Sequence, residues 1–304
     1  MRRSHQFRRS VFLLATCAMM TVGSVTTIAA SDRPTPVGVV ADFRPFDQPL
    51  TLARPPRGEP VSVRIGTVVV AGDRVVLDRA DQSVTVQLAS GKVARFIGPG
   101  DYQVPSGRPL GKLTAIFQSL PELFEGGEGL SGTAASRAVE ECGMVGFEPS
   151  PITAPVMNAE TRVVAGDRDL LLAWNGGCPP FTVTLISDTA TLAHRDSIDE
   201  RSVLLTGLAL KSGRYMVQIS DAGNRHWEGP LQAQSQSPPI PEDIASDRSP
   251  LGRNAQAICL ARQDDGRWRL EGANWLETLR RAEDPLATAI SNGLLWGSAA
   301  PRQE

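Results

Sequence analysis

Apolar side chains at every second position, interrupted by glycine or proline turns, set the terms for this chain. Val61, Val63 and Ile65 alternate with polar neighbours, Val68 to Val70 form a short apolar run, and Ala71-Gly72-Asp73 marks a turn. Val75 to Leu77 restarts a strand. Val84, Val86 and Leu88 alternate, Ser90-Gly91 turns, and Val93 to Ile97 follows before Gly98-Pro99-Gly100. Successive side chains of a strand point to opposite faces, so this pattern sets one face on a core and the other in water. Strands at about ten-residue spacing predict a β-sandwich, roll or solenoid rather than a parallel α/β enzyme. The preceding stretch, Asp32 to Pro60, is proline-rich and reads as an extended lead-in in which Val37, Val39 and Phe43 pair as a strand.

The alternation returns between Pro151 and Ala233. Leu170, Leu172 and Trp174 alternate, Asn175-Gly176-Gly177 turns, and Phe181, Val183 and Leu185 follow Pro179-Pro180. Val203 to Leu205, Leu208 with Leu210, and Tyr215, Val217 and Ile219 complete the set. A chain of 304 residues exceeds the usual size of one core, and 28 glycines with 23 prolines favour turns and short strands. The predicted class is therefore mainly β, with an N-terminal β domain over 32–125, a central sandwich over 151–235 and a short α-helical tail over 249–297. Residues 126–150 read as one linker and the proline-rich 236–248 as another.

Helical periodicity is confined to two places. Leu110, Leu113, Phe117 and Leu120 fall at three- and four-residue steps, which predicts a short amphipathic helix over 109–119. Pro121 must interrupt it, and Ser119 with Glu122 has the spacing of a capping box that would open another turn. In the tail, Ser249-Pro250 starts a helix with Leu251, Ala255 and Ile258 on its apolar edge. A second helix sets Trp268, Gly272, Trp275 and Leu279 on one stripe, and Asp284-Pro285 caps a third bearing Leu286, Ile290 and Leu294. Such a helix hairpin cannot bury its own face. Either it docks on the sandwich, or Trp268, Trp275 and Trp296 form an anchor for a partner.

The N-terminus has the order of a secretory signal, and residues 1–30 are read as one. Arg2, Arg3, Arg8 and Arg9 precede an apolar stretch from Val11 to Ile28, which ends at Ala29-Ala30 before Ser31-Asp32. Arg8-Arg9-Ser10-Val11-Phe12 also fits a twin-arginine export signal. Thr21, Gly23, Ser24, Thr26 and Thr27 weaken the stretch as a permanent span, so cleavage is expected, with an uncleaved anchor as the alternative and the sole route to a membrane. The chain is thus placed in the periplasm or outside the cell. Removing the four arginines from the 31 basic residues leaves 27 against 33 acids, a balance of -6. A mildly acidic body has no attraction for a phosphate backbone, and nucleic acid is not expected as a partner.

Export also predicts an oxidising compartment. Cys142, Cys178 and Cys259 remain after the signal. Cys259 lies among Ala257, Ile258, Leu260 and Ala261 on a helix face, which leaves Cys142 and Cys178 as the expected disulfide. No C-x-x-C or H-E-x-x-H motif, nucleophile elbow or phosphate loop is present. The histidines outside the signal are His194, in a charged stretch read as a loop, and His226, beside Trp227. Glu140-Glu141 and Asp264-Asp265 fall in linkers and turns. No catalytic, metal-binding or cofactor-binding residue is therefore assigned, and no cofactor is expected. A hydrolase would require a polar cleft around His194 or His226.

Two resemblances refine this reading. The order Gly72-Asp73, Val75, the strand Ser83-Val84-Thr85-Val86-Gln87-Leu88 and the turn Ser90-Gly91 resembles the FecR family of periplasmic signalling domains over about residues 61–104. Ser90 stands where that family usually has an aspartate. The resemblance implies sensing or relay in the bacterial envelope, often toward an extracytoplasmic sigma factor. About ten residues precede the apolar segment here, too few to hold a sigma factor, so a detached relative acting outside the cytoplasm is expected. In the second domain, Trp174 at a strand end and Tyr215 in a late strand after Ser212-Gly213-Arg214 resemble immunoglobulin-like and fibronectin type III sandwiches. There the tryptophan is core and the tyrosine locks a corner. The expected function is an accessory role in envelope signalling or sensing through contact with an envelope protein. A structural or adhesive envelope protein is the alternative, and a periplasmic hydrolase the enzyme-class one.

Overall fold

The computed structural model describes residues 34–46, 48–125, 142, 150–157 and 160–296. The export segment 1–30 and most of the 126–150 stretch lie outside them. The first strand, β1 (Pro36–Arg44), comes from the proline-rich lead-in and is central rather than peripheral. Its run Val37-Gly38-Val39-Val40-Ala41 is buried throughout, the mark of a strand covered on both faces. Val37 and Val40 join Leu52, Val75, Val84 and Phe96 in one core. Val39 and Ala41 join a second core with Phe117, Leu120 and Ile290. Register shifts between Pro36 and Gly38, and between Val40 and Asp42, account for the departure from strict alternation.

The other strands of this domain are β2 (Thr51–Arg54), β3 (Glu59–Ser62), β4 (Val68–Val70), β5 (Arg74–Leu77), β6 (Ser83–Leu88), β7 (Val93–Ile97) and β8 (Gly100–Gln103). They form two four-stranded sheets of order β4-β1-β6-β7 and β3-β2-β5-β8. The β2–β3 hairpin sits in the stretch expected to be an extended lead-in. The Gly72-Asp73 turn is a structural lock: Gly72 takes φ +86°, and the buried Asp73 carboxylate accepts from Val70 N at 2.9 Å and from the Arg54 guanidinium at 3.1 and 3.2 Å.

The second domain contains β9 (Thr161–Val164), β10 (Gly166–Ala173), β11 (Phe181–Ser187), β12 (Thr191–Ile198), β13 (Ser202–Leu210), β14 (Gly213–Ser220) and β15 (His226–Gln234). A five-stranded sheet, β12-β11-β14-β15-β9, faces the two-stranded sheet β10-β13. Pairing is antiparallel except between β15 and β9. This is the arrangement of an immunoglobulin-like sandwich, whose first strand runs parallel to the last. Trp174 is fully buried, with its ring 5.2 Å from that of Phe181. Tyr215 Oη donates to Lys211 O at 2.7 Å, locking the corner before β14. Cys142 and Cys178 form a disulfide that ties the incoming chain to the β10–β11 loop.

Helices join the two sandwiches. α1 (Leu113–Gln118) and α2 (Leu120–Glu125) follow the first sandwich. The capping box does not form: Ser119 Oγ donates to Ile116 O at 2.9 Å, because Ser119 closes α1 and its hydroxyl finds the nearer carbonyl left open there. The proline-rich 236–248 stretch is not a plain linker. It contains α3 (Glu242–Ala245), with Ile244 buried and its carbonyl held by Gln256 Nε2 at 2.8 Å. α4 (Pro250–Gly266) starts at Ser249, whose Oγ accepts from Gly252 N at 3.0 Å. It breaks near its end, where Asp264 and Asp265 take φ of 50° and 56°. α5 (Arg269–Arg281) and α6 (Pro285–Trp296) complete the tail.

The tail is built into the body. α6 packs on β1, α5 on β9 and β10, and α1 on α4. A Cβ at Gly272 would lie 2.7 Å from Ala261 Cβ and 2.8 Å from Ala257 O, so the α4–α5 crossing admits only glycine there. Asp284 ties three elements: Oδ1 caps α6 through Ala287 N at 2.9 Å, and Oδ2 accepts from Gln87 of β6 and Asn254 of α4, each at 3.1 Å. The described residues from Pro34 to Trp296 form one compact unit.

Candidate functional site

The chemistry-bearing residues are dispersed. His194 lies on strand β12, not in a loop, because the turn Ser187–Ala190 folds that polar stretch back onto β11. It is exposed, and its Nδ1 is 3.1 Å from Thr184 Oγ1. His226 is exposed at the start of β15. Neither lines the grooves described below, and no group of three or more His, Cys, Asp or Glu able to hold a metal occurs among the described residues. Asp264 is bound at the α4 break to Trp268 Nε1 (3.1 Å) and Arg162 (2.6 Å). Glu140 and Glu141 lie outside the described residues.

Other acids are structural. Asp221, with no exposed side-chain surface, accepts from Cys178 N at 2.8 Å, from Gly223 N and Arg225 N at 2.9 and 3.0 Å, and from the Arg225 guanidinium. Burial alone would raise its carboxyl, but these donors outweigh it and hold it below the usual carboxylate range. Glu277 behaves alike: burial opposes ionisation, and Arg280 and Arg281 reverse the balance.

The three tryptophans of the tail do not form an exposed anchor. Trp268 is 1% exposed and belongs to the fold, so it is unavailable as a surface contact. Trp275 and Trp296 are half-buried against the larger core. Trp275 borders a groove of about 400 Å³ between α5 and the β10–β13 sheet. Several of the groove's polar groups bond across it. Asn274 Oδ1 accepts from Leu171 N at 2.7 Å and its Nδ2 donates to Leu171 O at 3.3 Å, standing in for a missing neighbour strand on β10. Glu271 holds Arg168 at 2.6 Å. These bonds join helix to sheet across the groove.

Among the described residues, two sheet faces are open: the outer face of β3-β2-β5-β8, where Arg74 pairs with Asp101 beside the exposed Val76, and the outer face of the five-stranded sheet, which carries a groove. Strand alternation buries Phe181, Val183, Leu185, Val217, Ile219 and Leu231 and turns their neighbours outward in cross-strand rows. His194, Thr184, Gln218 and Glu228 form one row; Ile186, Met216 and Pro230 the next; Arg214, Gln232 and Arg162 a third. Gln218 Nε2 donates to Glu228 Oε1 at 2.8 Å. The apolar row floors a groove of about 720 Å³ that Arg214, Gln232, Asp188 and Glu160 border. Arg162 is neutralised by Asp264, while Arg214 has no ion pair among the described residues. A shallow apolar strip between polar rows suits protein contact. The sequence showed these side chains only as the polar half of an alternation.

No family model matches the sequence, and no curated protein matches it either. The comparison with solved structures finds β modules. CopC from Methylosinus trichosporium OB3b is 17% identical, over 31% of this chain and 96% of that one, with a TM-score of 0.21. The RIG-5 IG1 homodimer is 17% identical, over 28% of this chain and 99% of its own, at TM-score 0.19. Fibronectin(III)-like modules of Clostridium thermocellum CbhA are 13% identical, over 68% and 84%, at TM-score 0.21. The strand order described above, not these scores, carries the fold assignment. No helix among the described residues is long and apolar enough to cross a membrane.

Proposed function

We propose that this chain is a non-enzymatic protein of the bacterial envelope, exported by its N-terminal segment, that acts by protein contact as a FecR-like accessory in signalling or sensing. The observation that carries the reading is the open outer face of the β12-β11-β14-β15-β9 sheet, an apolar row between polar rows. The helices that cover the first domain's β4-β1-β6-β7 sheet leave this face bare. The disulfide supports an oxidising compartment. The first domain supports the FecR-like part through its Gly72-Asp73 lock and the hairpin turned at Gly91 (φ +84°).

The test is co-purification of the full chain from the envelope, read by mass spectrometry, beside Thr184→Glu. A charge in the polar row disturbs contact, and its half-buried, outward-facing setting keeps it out of the core. A stoichiometric partner lost in the variant supports the reading. Diffuse cell-wall retention equal for both chains would favour the structural or adhesive alternative instead.

A further inference from the structure

We propose that the open face of the five-stranded sheet pairs with a second copy of this chain. This rests on the reading that the face serves protein contact, and names its occupant. The argument is self-complementarity. In the Ile186–Met216–Pro230 row each residue lies opposite the next across paired strands. The row beside it on one side carries Arg214, exposed and without an ion pair among the described residues. The row on the other side carries Glu228, exposed and, among the described residues, bound only to the neutral Gln218.

A two-fold axis lying in the face along the apolar row lays that row on itself and exchanges the flanking rows. Arg214 of one copy then stands over Gln218 of the other, one strand spacing (~4.8 Å) from Glu228, within reach of an arginine side chain. The symmetry forms the contact twice. Asp188 borders the groove from the β11–β12 turn, beyond the strand rows. Arg162 is satisfied by Asp264 within its own chain, so Arg214 is the cation left to cross.

Size sets the strength. Five strands at ~4.8 Å and three side-chain rows at ~6.8 Å give about 24 by 20 Å, or roughly 490 Å² per copy. Two such faces total about 980 Å², in the range of weak, transient contacts rather than of permanent ones. The pairing is therefore reversible and depends on concentration.

The experiment is sedimentation equilibrium of the full chain across a micromolar concentration series, with envelope co-purification run in parallel. Wild type is expected to shift from monomer to dimer. Arg214→Glu sets like charges opposite and weakens association about tenfold or more, as does Glu228→Arg. The double variant Arg214→Glu/Glu228→Arg restores the opposition with signs reversed and returns to within about threefold of wild type. Met216→Lys, at the axis, abolishes the dimer in either background. Unchanged circular dichroism for these exposed positions keeps the comparison valid. A monomer at every concentration, or a double variant that stays monomeric, overturns the proposal. If the parallel arm then still captures an envelope partner, the contact function stands and only its occupant was misassigned.

Discussion

The two sandwiches treat their sheets differently. In the first, the β4-β1-β6-β7 sheet is covered twice, by its partner sheet and by the helices that follow. In the second, the five-stranded sheet covers only its inner face. The difference is written in β1 and β14: five successive buried residues in one, alternating buried and half-buried residues in the other. A strand enclosed on both sides admits a polar side chain only where a partner meets it, as Asp284 meets buried Gln87 of β6, whereas a strand enclosed on one side can display any side chain on the other. The second sandwich compensates with polar locks at its loop end: the disulfide, Asp221, and buried Arg201 donating to Gly176 O and Gly177 O, each at 3.0 Å. Stability is thus built by apolar enclosure in one domain and partly by loop fastening in the other.

Substitutions can break or sharpen that contrast. Val39→Glu places a carboxylate between sheet and helices and is expected to cost more than about 4 kcal/mol, enough to prevent folding. A soluble variant with a native-like thermal melt would show that the helices do not enclose this face. Asp221→Asn leaves Arg225 facing a neutral amide and is expected to cost about 2–3 kcal/mol at neutral pH. Because its folded carboxyl titrates lower than in the unfolded chain, Asp221 stabilises fully above about pH 3.9, the unfolded value. That contribution is lost as pH falls further, through the depressed folded value. Wild type should therefore lose stability on acidification more steeply than Asp221→Asn, measured by denaturant unfolding from pH 7 to pH 2; parallel curves would remove Asp221 from the account. Thr184→Glu, in the uncovered face, should shift stability by no more than about 0.5 kcal/mol. A large loss there would mean that something covers this sheet.

Strand positions with clean alternation were legible in the sequence: Val84, Val86 and Leu88, Phe181, Val183 and Leu185, and Tyr215, Val217 and Ile219 all lie in strands with those residues inward. Helix starts at Ser249 and Asp284 were legible for the same reason, since a side-chain cap acts within three residues. Strand β12 was not, because an edge strand with one wet face carries Thr191, His194, Arg195 and Asp196 and imitates a loop. Its available signal was the Ser187–Ala190 turn between two extended stretches. The paired rows of the open face could not be read either. Ile186, Met216 and Pro230 are far apart in the chain, and only strand register makes them neighbours.

By itself the sequence determined the local choices, strand or helix and turn or cap, because those depend on side-chain period and on contacts a few residues apart. It also determined that the chain is mainly β, with a helical tail. Only the tertiary structure decided that the tail is a wedge between two sandwiches, that Trp268 is sealed inside, and which sheet faces stay bare. An amphipathic stripe states that it must be covered, but the surface that covers it is chosen by long-range packing that no local pattern encodes.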